Sequence, residues 1–275
     1  MKSLGDYFSG REIFRPGFFS VLGGKKSRTH GVLAYADTTA YLGILCQQPH
    51  ITALFTRPDI AEMVPDHIGV VVTESPRNAF YQFHEKLIDL GFYDSPPRGS
   101  RGSDCRIHSS ALVDESVTLG DRVVIGERVV IRGQVEIGSD TLIEAGVLIG
   151  VEGILYFRLP EGNRRIRHAG SVHIGSHVTI LANAVVVRSV FPSVSTTIGD
   201  NSIIGVASNI GHEAELFENV VVSGNCVVAR NSSLGAGSFL GTSAVVTENI
   251  IVGSGARVMA GSMVVKNVPA NQVVS

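Results

Sequence analysis

Tryptophan is absent, and charged residues account for only 17% of the 275 positions. Excess charge of either sign is missing too. The 23 basic and 25 acidic residues nearly cancel, so nothing suggests a polyanion partner or a charged tail, and no nucleic-acid partner is expected. Only three cysteines occur, Cys46, Cys105 and Cys226, an odd number with no CxxC and no metal-ligand spacing. They read as free thiols in a reducing compartment. No stretch of about 18 apolar residues occurs, and the start MKSLGDYFSGREIF has no apolar core of signal-peptide length. A cytoplasmic protein without a membrane span is the expectation. The GxGxxG fingerprint, the P-loop and a Ser-His-Asp pattern are also lacking, and Gly23-Gly24-Lys25 is too short to count. Glycine, by contrast, is abundant at 31 residues, a profile that suits short strands and tight corners better than a helical bundle.

A period of six starts at Ile107 and continues through Val113, Leu119, Ile125, Ile131, Ile137, Ile143 and Ile149. It resumes at Ile174, Ile180 and Val186, then runs unbroken from Ile198 through Ile204, Ile210, Leu216, Val222, Val228, Leu234, Leu240, Val246, Val252 and Val258 to Val264. All 23 positions are Ile, Leu or Val, and the next residue is Gly in 11 of them. Four residues on, the side chain is small or β-branched, as at Ala111, Val117, Val123, Ser208, Ala214 and Ala244. The spacing predicts short strands with one aliphatic side chain pointing inward and a compact residue at each corner. Three hexads make one triangular coil of 18 residues, and each coil buries its faces only by stacking on its neighbours.

Two places break the count. Residues 150–171 hold the run VEGILYFRLPEGNRRIRHA, an excursion of about one coil with aromatics and four arginines. Pro192–Thr197 is expected to replace one hexad without losing register. Loops leaving a rigid solenoid are where recognition usually sits.

Residues 1–100 lack the repeat. Ile51–Thr56 and His67–Thr73 read as buried strands. Ser75-Pro76, then Ala79, Phe80, Phe83, Leu87 and Leu90, read as an amphipathic helix that ends at Gly91. Ser95–Asp104 (SPPRGSRGSD) has linker composition. The expected domains are therefore an α/β module over 1–100 and a solenoid over 101–275 that includes the excursion.

This order of strands, Pro-started helix, polar linker and hexapeptide coils resembles the acylglucosamine N-acyltransferase of lipid A synthesis and related nucleotide-amino-sugar N-acyltransferases. The resemblance implies a mainly β fold, a left-handed parallel β-helix with a small N-terminal α/β domain. It implies transfer of an acyl group to the amine of a nucleotide-linked amino sugar (UDP or TDP) for cell-surface polysaccharide or lipopolysaccharide. In that family the N-terminal module holds the base with an aromatic residue followed by Tyr six positions later, a spacing matched here by Tyr35 and Tyr41. Core tyrosines are the competing reading of the same pair. The family's catalytic histidine stands in an I-x-H context, matched by Ile210-Gly211-His212. Some sugar acyltransferases follow it with an acid, as Glu213 does here. His212, third in its hexad, is expected to point outward beside a corner, where a base could accept the amine proton. Asn209 lies three residues earlier, near a corner, and joins His212 and Glu213 as a catalytic candidate. Arg230 lies one coil on, as a substrate-binding candidate, and Glu248 two coils on. Asn249 stands where the lipid A enzyme has a second histidine, a departure that puts that enzyme's substrate and donor arrangement in doubt.

Gly224, Ala229, Gly241 and Ala260 leave space for a pantetheine arm and equally suit ordinary corners. The resembling enzyme continues into a helical tail, whereas this sequence stops at Ser275 soon after Val268-Pro269-Ala270-Asn271. On that ground acyl-CoA is expected over acyl carrier protein as donor. No tightly bound cofactor and no metal are expected, and a homotrimer is. Two other readings stay open. One is a metal-dependent hydratase of the β-helix carbonic anhydrase type, for which His168, His173 and His177 would have to converge. The other is a non-catalytic β-helix binding protein. Cys226 occupies the small inward slot of its hexad and reads as core packing.

Overall fold

The computed structural model describes residues 1–93, 98–159 and 162–275. The chain forms two compact units. The first comprises Met1–Asp94, Ile154–Ala169 and Phe191–Val194, and the second Ser95–Gly153, Gly170–Val190 and Ser195–Ser275.

In the second unit the hexads become short strands whose inward residue is the aliphatic one. Strands 18 residues apart pair in parallel, as Ile107 with Ile125, Val113 with Ile131 and Leu119 with Ile137. The described residues build three all-parallel sheets of nine, eight and seven strands. We call them sheets A, B and C, containing Ile107, Val113 and Leu119 respectively, and the chain visits them in that order. The inward side chains form one continuous core. Ile131, Ile149, Val186, Ile210, Val228 and Val246 of sheet B are all fully buried. Burying one such side chain is worth about 1.5–3 kcal/mol, and stacking secures that gain only when the next coil is present. Three residues after the inward position the backbone enters the left-handed region, most often at asparagine: Asn219, Asn225, Asn231 and Asn249 have φ of 58°, 58°, 59° and 63°. Asparagine tolerates this conformation better than most side chains, so the corner selects it.

Both interruptions leave from the corner between sheets B and C. Ile137 pairs with Ile174 across the first. Across the second, Val186 pairs with Ile210, 24 residues on. The second interruption therefore inserts six residues into a coil, where replacement of a hexad was expected. Residues 154–169 and 191–194 belong to the first unit, not to a solenoid domain spanning 101–275. Within the first excursion Tyr156–Leu159 pairs antiparallel with Gly162–Arg165. The solenoid also begins earlier than expected. Gly99 and Gly102 donate backbone hydrogen bonds to Glu115 and Leu119 one coil on, so the second half of the expected linker is already coil. Its residues 95–97 lie outside the described residues.

The first unit is α/β. Its five-stranded sheet has the order Ile13–Arg15, Gly69–Val72, Ile51–Thr56, Val32–Ala36, Val21–Leu22, antiparallel only at the first pair. Helix α1 spans Thr39–Cys46 and helix α2 spans Pro76–Asp89. Pro76 opens α2 and Gly91, at φ 65°, follows its end, as the sequence implies. Alternation along the strands sorts the two faces. Val32, Ala34, Ala36 and Leu54 pack with Leu42 and Leu45 of α1, whereas Tyr35 and Phe55 pack on Phe80 of α2.

Candidate active site

Residues two places after the inward aliphatic of sheet B stack along the B–C edge. Pairing of Val186, Ile210 and Val228 aligns Arg188, His212 and Arg230 on three successive coils. His212 stands beside the corner, as its hexad position implies, yet it is only 5% exposed. Glu213 follows at φ 61°, the left-handed corner that asparagine occupies on later coils. Its Oε1 stands 3.9 Å from His212 Nδ1, an ion pair when the ring is protonated. The Glu213 backbone N–H donates to Thr196 Oγ1 at 2.8 Å, and its carboxylate accepts the Val190 N–H at 3.4 Å. Val190 precedes and Thr196 follows the second interruption, so Glu213 is tied to both sides of it. Burial opposes the charge on Glu213. The adjoining imidazole, the Val190 N–H and the Arg230 guanidinium outweigh it and hold the carboxyl below the ordinary carboxylate value. A buried imidazole with an ionised carboxylate beside it is suited to accept a proton, because the charge that develops on the ring is already compensated.

The remaining candidates fall into separate places. Arg230 is half-exposed and pairs with Glu248 at 2.7 Å. Asn249 accepts a hydrogen bond from Asn231 Nδ2 at 2.5 Å and sits at a left-handed corner. Asparagine suits that corner, although His177 holds the equivalent position on an earlier coil. Asn209 is exposed in a strand of sheet B between Val185 and Val227, not at a corner. Gly224, Gly241 and Ala260 lie where sheet A passes into sheet B, Gly241 one place and Gly224 and Ala260 two places after the inward residue, while Ala229 begins the B–C corner. A Cβ on Gly241 would stand 2.5 Å from Ala260 N, so coil stacking alone already requires glycine there. Sequence reasoning missed Arg188, Val190 and Thr196. Arg188 was findable, because it holds the same hexad position as His212.

In the first unit Tyr35 and Tyr41 come together, with ring centroids 6.4 Å apart and planes inclined at 58°. The ring planes are not parallel, so in this arrangement a base lying flat on one ring does not lie flat on the other. Tyr35 also packs on Phe80 at 5.0 Å and Tyr81 at 5.9 Å, which gives it a core role as well. The histidines considered for a metal have other partners. His173 faces Glu136 at 3.1 Å and His177 faces Asp140 at 4.0 Å. His168, in the first unit, is buried. No group of three or more His, Cys, Asp or Glu among the described residues is arranged to hold a metal ion. Cys226 is buried in the solenoid core. No helix among the described residues is long and apolar enough to cross a membrane.

Residues 116–150 match the family model described as bacterial transferase hexapeptide (six repeats). Over those residues the chain is similar to bacterial transferase hexapeptide repeats. Among curated proteins, the chain is 28% identical over 216 residues to a UDP-3-O-acylglucosamine N-acyltransferase of Helicobacter hepaticus, covering 72% of this chain and 65% of that one. It is 42% identical over 90 residues to the protein of the same description from Maricaulis maris, covering 32% of this chain and 25% of that one. The chain thus spans between a quarter and just under two thirds of the length of these relatives. Among solved structures, a UDP-N-acetylglucosamine acyltransferase from Bacteroides fragilis superposes with a TM-score of 0.59 at 18% identity, over 65% of this chain and 68% of that one. One from Campylobacter jejuni gives 0.53 at 22%, over 62% and 64%. These structures bear on the fold alone, and with the repeat match they support the expected class, a left-handed parallel β-helix with a small α/β domain ahead of it.

Proposed function

We propose that this protein is an N-acyltransferase that moves an acyl group from acyl-CoA or acyl carrier protein to the amine of a nucleotide-linked amino sugar. The observation that carries the reading is His212, buried on the edge of a hexapeptide solenoid with Glu213 held beside it. In the reaction the sugar amine attacks the thioester carbonyl carbon and a C–N bond forms. His212 accepts the amine proton. The tetrahedral intermediate then collapses, the C–S bond breaks, and the departing thiolate takes the proton from the imidazolium. Glu213 orients the ring and balances its transient charge.

The relatives' description, UDP-3-O-acylglucosamine N-acyltransferase, supports a uridine nucleotide and a place in lipopolysaccharide synthesis. The α/β unit, through Tyr35 and Tyr41, is the candidate reader of the base, with stacking on one ring instead of two. The pantetheine arm of the donor would follow the edge of Gly224, Gly241 and Ala260. The chemistry needs no tightly bound cofactor. We place the protein in the cytoplasm as a homotrimer whose sites lie in grooves between subunits. Mass spectrometry of products from a panel of UDP- and TDP-amino sugars with acyl-CoA and acyl carrier protein donors tests the reading. An amide product identifies acceptor and donor together, and hydrolysis without transfer across the panel contradicts it. Sedimentation equilibrium at micromolar concentration tests the trimer, and a monomer would count against shared sites.

A further inference from the structure

On the two coils that follow Glu213, the corner residue donates its backbone N–H to the carbonyl one place before the corner of the preceding coil. Asn231 donates to His212 O at 3.0 Å, and Asn249 to Arg230 O at 3.2 Å. The same pattern would pair the Glu213 N–H with Arg188 O. Just beyond Arg188 the chain leaves the coil for the second interruption, and the Glu213 N–H donates to a side chain, Thr196 Oγ1, at 2.8 Å. After the first interruption a carbonyl still serves, for the Ser189 N–H donates to Ser171 O. A hydroxyl also accepts the corner N–H of Arg128, but it belongs to the exposed Ser110. Thr196 is fully buried in the strand Ser195–Ile198, where alternation turns Thr196 and Ile198 inward. A buried N–H that loses its acceptor is costly. Glutamate also lacks the tolerance of asparagine for left-handed backbone, which Glu213 adopts at φ 61°. The Glu213 corner therefore leans on this hydroxyl more than the asparagine corners lean on their carbonyls.

We propose that Thr196 is a positioning residue, whose hydroxyl fixes the Glu213 corner and so holds the carboxylate beside His212. The proposal rests on the reading of His212 as proton acceptor and extends it to a residue that acts only through Glu213. His212, Arg230 and the Val190 N–H act on the carboxylate itself. Thr196 acts on the backbone that carries it. Misplacing a group by about 1 Å at a reacting centre can cost about a hundredfold in rate, so a corner that relaxes has a visible effect.

The test compares Thr196→Val, which keeps the shape and removes the hydroxyl, with Thr196→Ser, which keeps the hydroxyl. On protein that melts cooperatively, Thr196→Val should lower kcat by about tenfold to a hundredfold with KM changed less than about twofold. Thr196→Ser should recover most of that loss. Because the effect passes through the carboxylate, Thr196→Val added to Glu213→Gln should lower kcat no further. Urea denaturation gives a readout free of catalysis, in which the cost of Glu213→Gln near neutrality should shrink by about half or more in Thr196→Val. Wild-type kcat in a folded Thr196→Val overturns the proposal. So do additive losses of kcat, or a Glu213→Gln cost that is equal in both backgrounds. Should Thr196→Val fail to fold, Thr196→Ala takes its place with the same expected and contrary results. If the wild type transfers no acyl group, the transferase reading fails by itself. The denaturation cycle then decides for Thr196, with a smaller Glu213→Gln cost supporting its hold on Glu213 and an equal cost overturning it.

Discussion

In the solenoid each inward position is Ile, Leu or Val stacked on its own kind one coil away, as at Ile131, Ile149 and Val186. The first unit fills one side of its sheet with aromatic rings meeting edge to face, as Phe19 with Phe83 and Phe55 with Phe80. Stability in the solenoid is therefore a sum of similar nearest-neighbour terms, while in the α/β unit it is concentrated in a few large side chains. The same contrast bears on the roles proposed for them. A rigid repeated edge can hold a base and its carboxylate in fixed geometry, and a sheet with half-buried tyrosines can offer a stacking surface.

Single substitutions can break this contrast. The largest stability effect is expected at Phe80, which is fully buried among Tyr35, Phe55, Tyr81 and Phe191. Phe80→Ala should cost about 3–5 kcal/mol in urea denaturation, against about 0.5–1.5 kcal/mol for Ile149→Val in the solenoid. Equal costs would mean that stability is not concentrated as described. Gly241→Ala comes next. Its new Cβ would meet the Ala260 backbone at 2.5 Å, and the coils must part to admit it. A loss of about 1–3 kcal/mol is expected, and a neutral effect would show that the stack yields easily.

Tyr41→Ala should raise KM for the sugar nucleotide by the equivalent of about 1–3 kcal/mol of stacking and leave turnover at saturation nearly unchanged. An unchanged KM would remove base reading from the first unit. The smallest effect concerns Glu213. Its carboxyl is held below the ordinary value in the folded chain, so it adds stability above the unfolded pKa of about 4.3 and loses it as pH falls through the folded value. The stability gap between wild type and Glu213→Gln should therefore be widest near neutrality and close on acidification. A gap independent of pH would contradict the charged-pair geometry.

The two units also differed in how far their sequences could be read. The inward aliphatics of the solenoid recur every six residues, so pairs such as Ile125 with Ile143 were legible as stacked neighbours. Asparagines recur at left-handed corners, at Asn219, Asn225, Asn231 and Asn249, but Arg122, His177 and Ser243 hold equivalent corners, so no single residue type marks them. The burial of His212 was not legible, because a hexad position says which way a side chain leaves its own coil and nothing about what covers it. Membership of Phe191 in the first unit was equally hidden, since its contacts to Phe80 and Tyr81 span more than a hundred residues. Helix α2 was legible from Pro76 and Gly91. Helix α1 was not, being short and apolar with no polar face to give a period.

The proposed transferase chemistry depends on His212 accepting the amine proton. The most direct test is the turnover of His212→Asn and His212→Ala, measured with saturating substrates on protein whose melting matches wild type. Both variants should fall by about two to four orders of magnitude while KM changes little. If both keep more than about a tenth of wild-type turnover, the loss is too small for a missing base, and His212 only positions the amine.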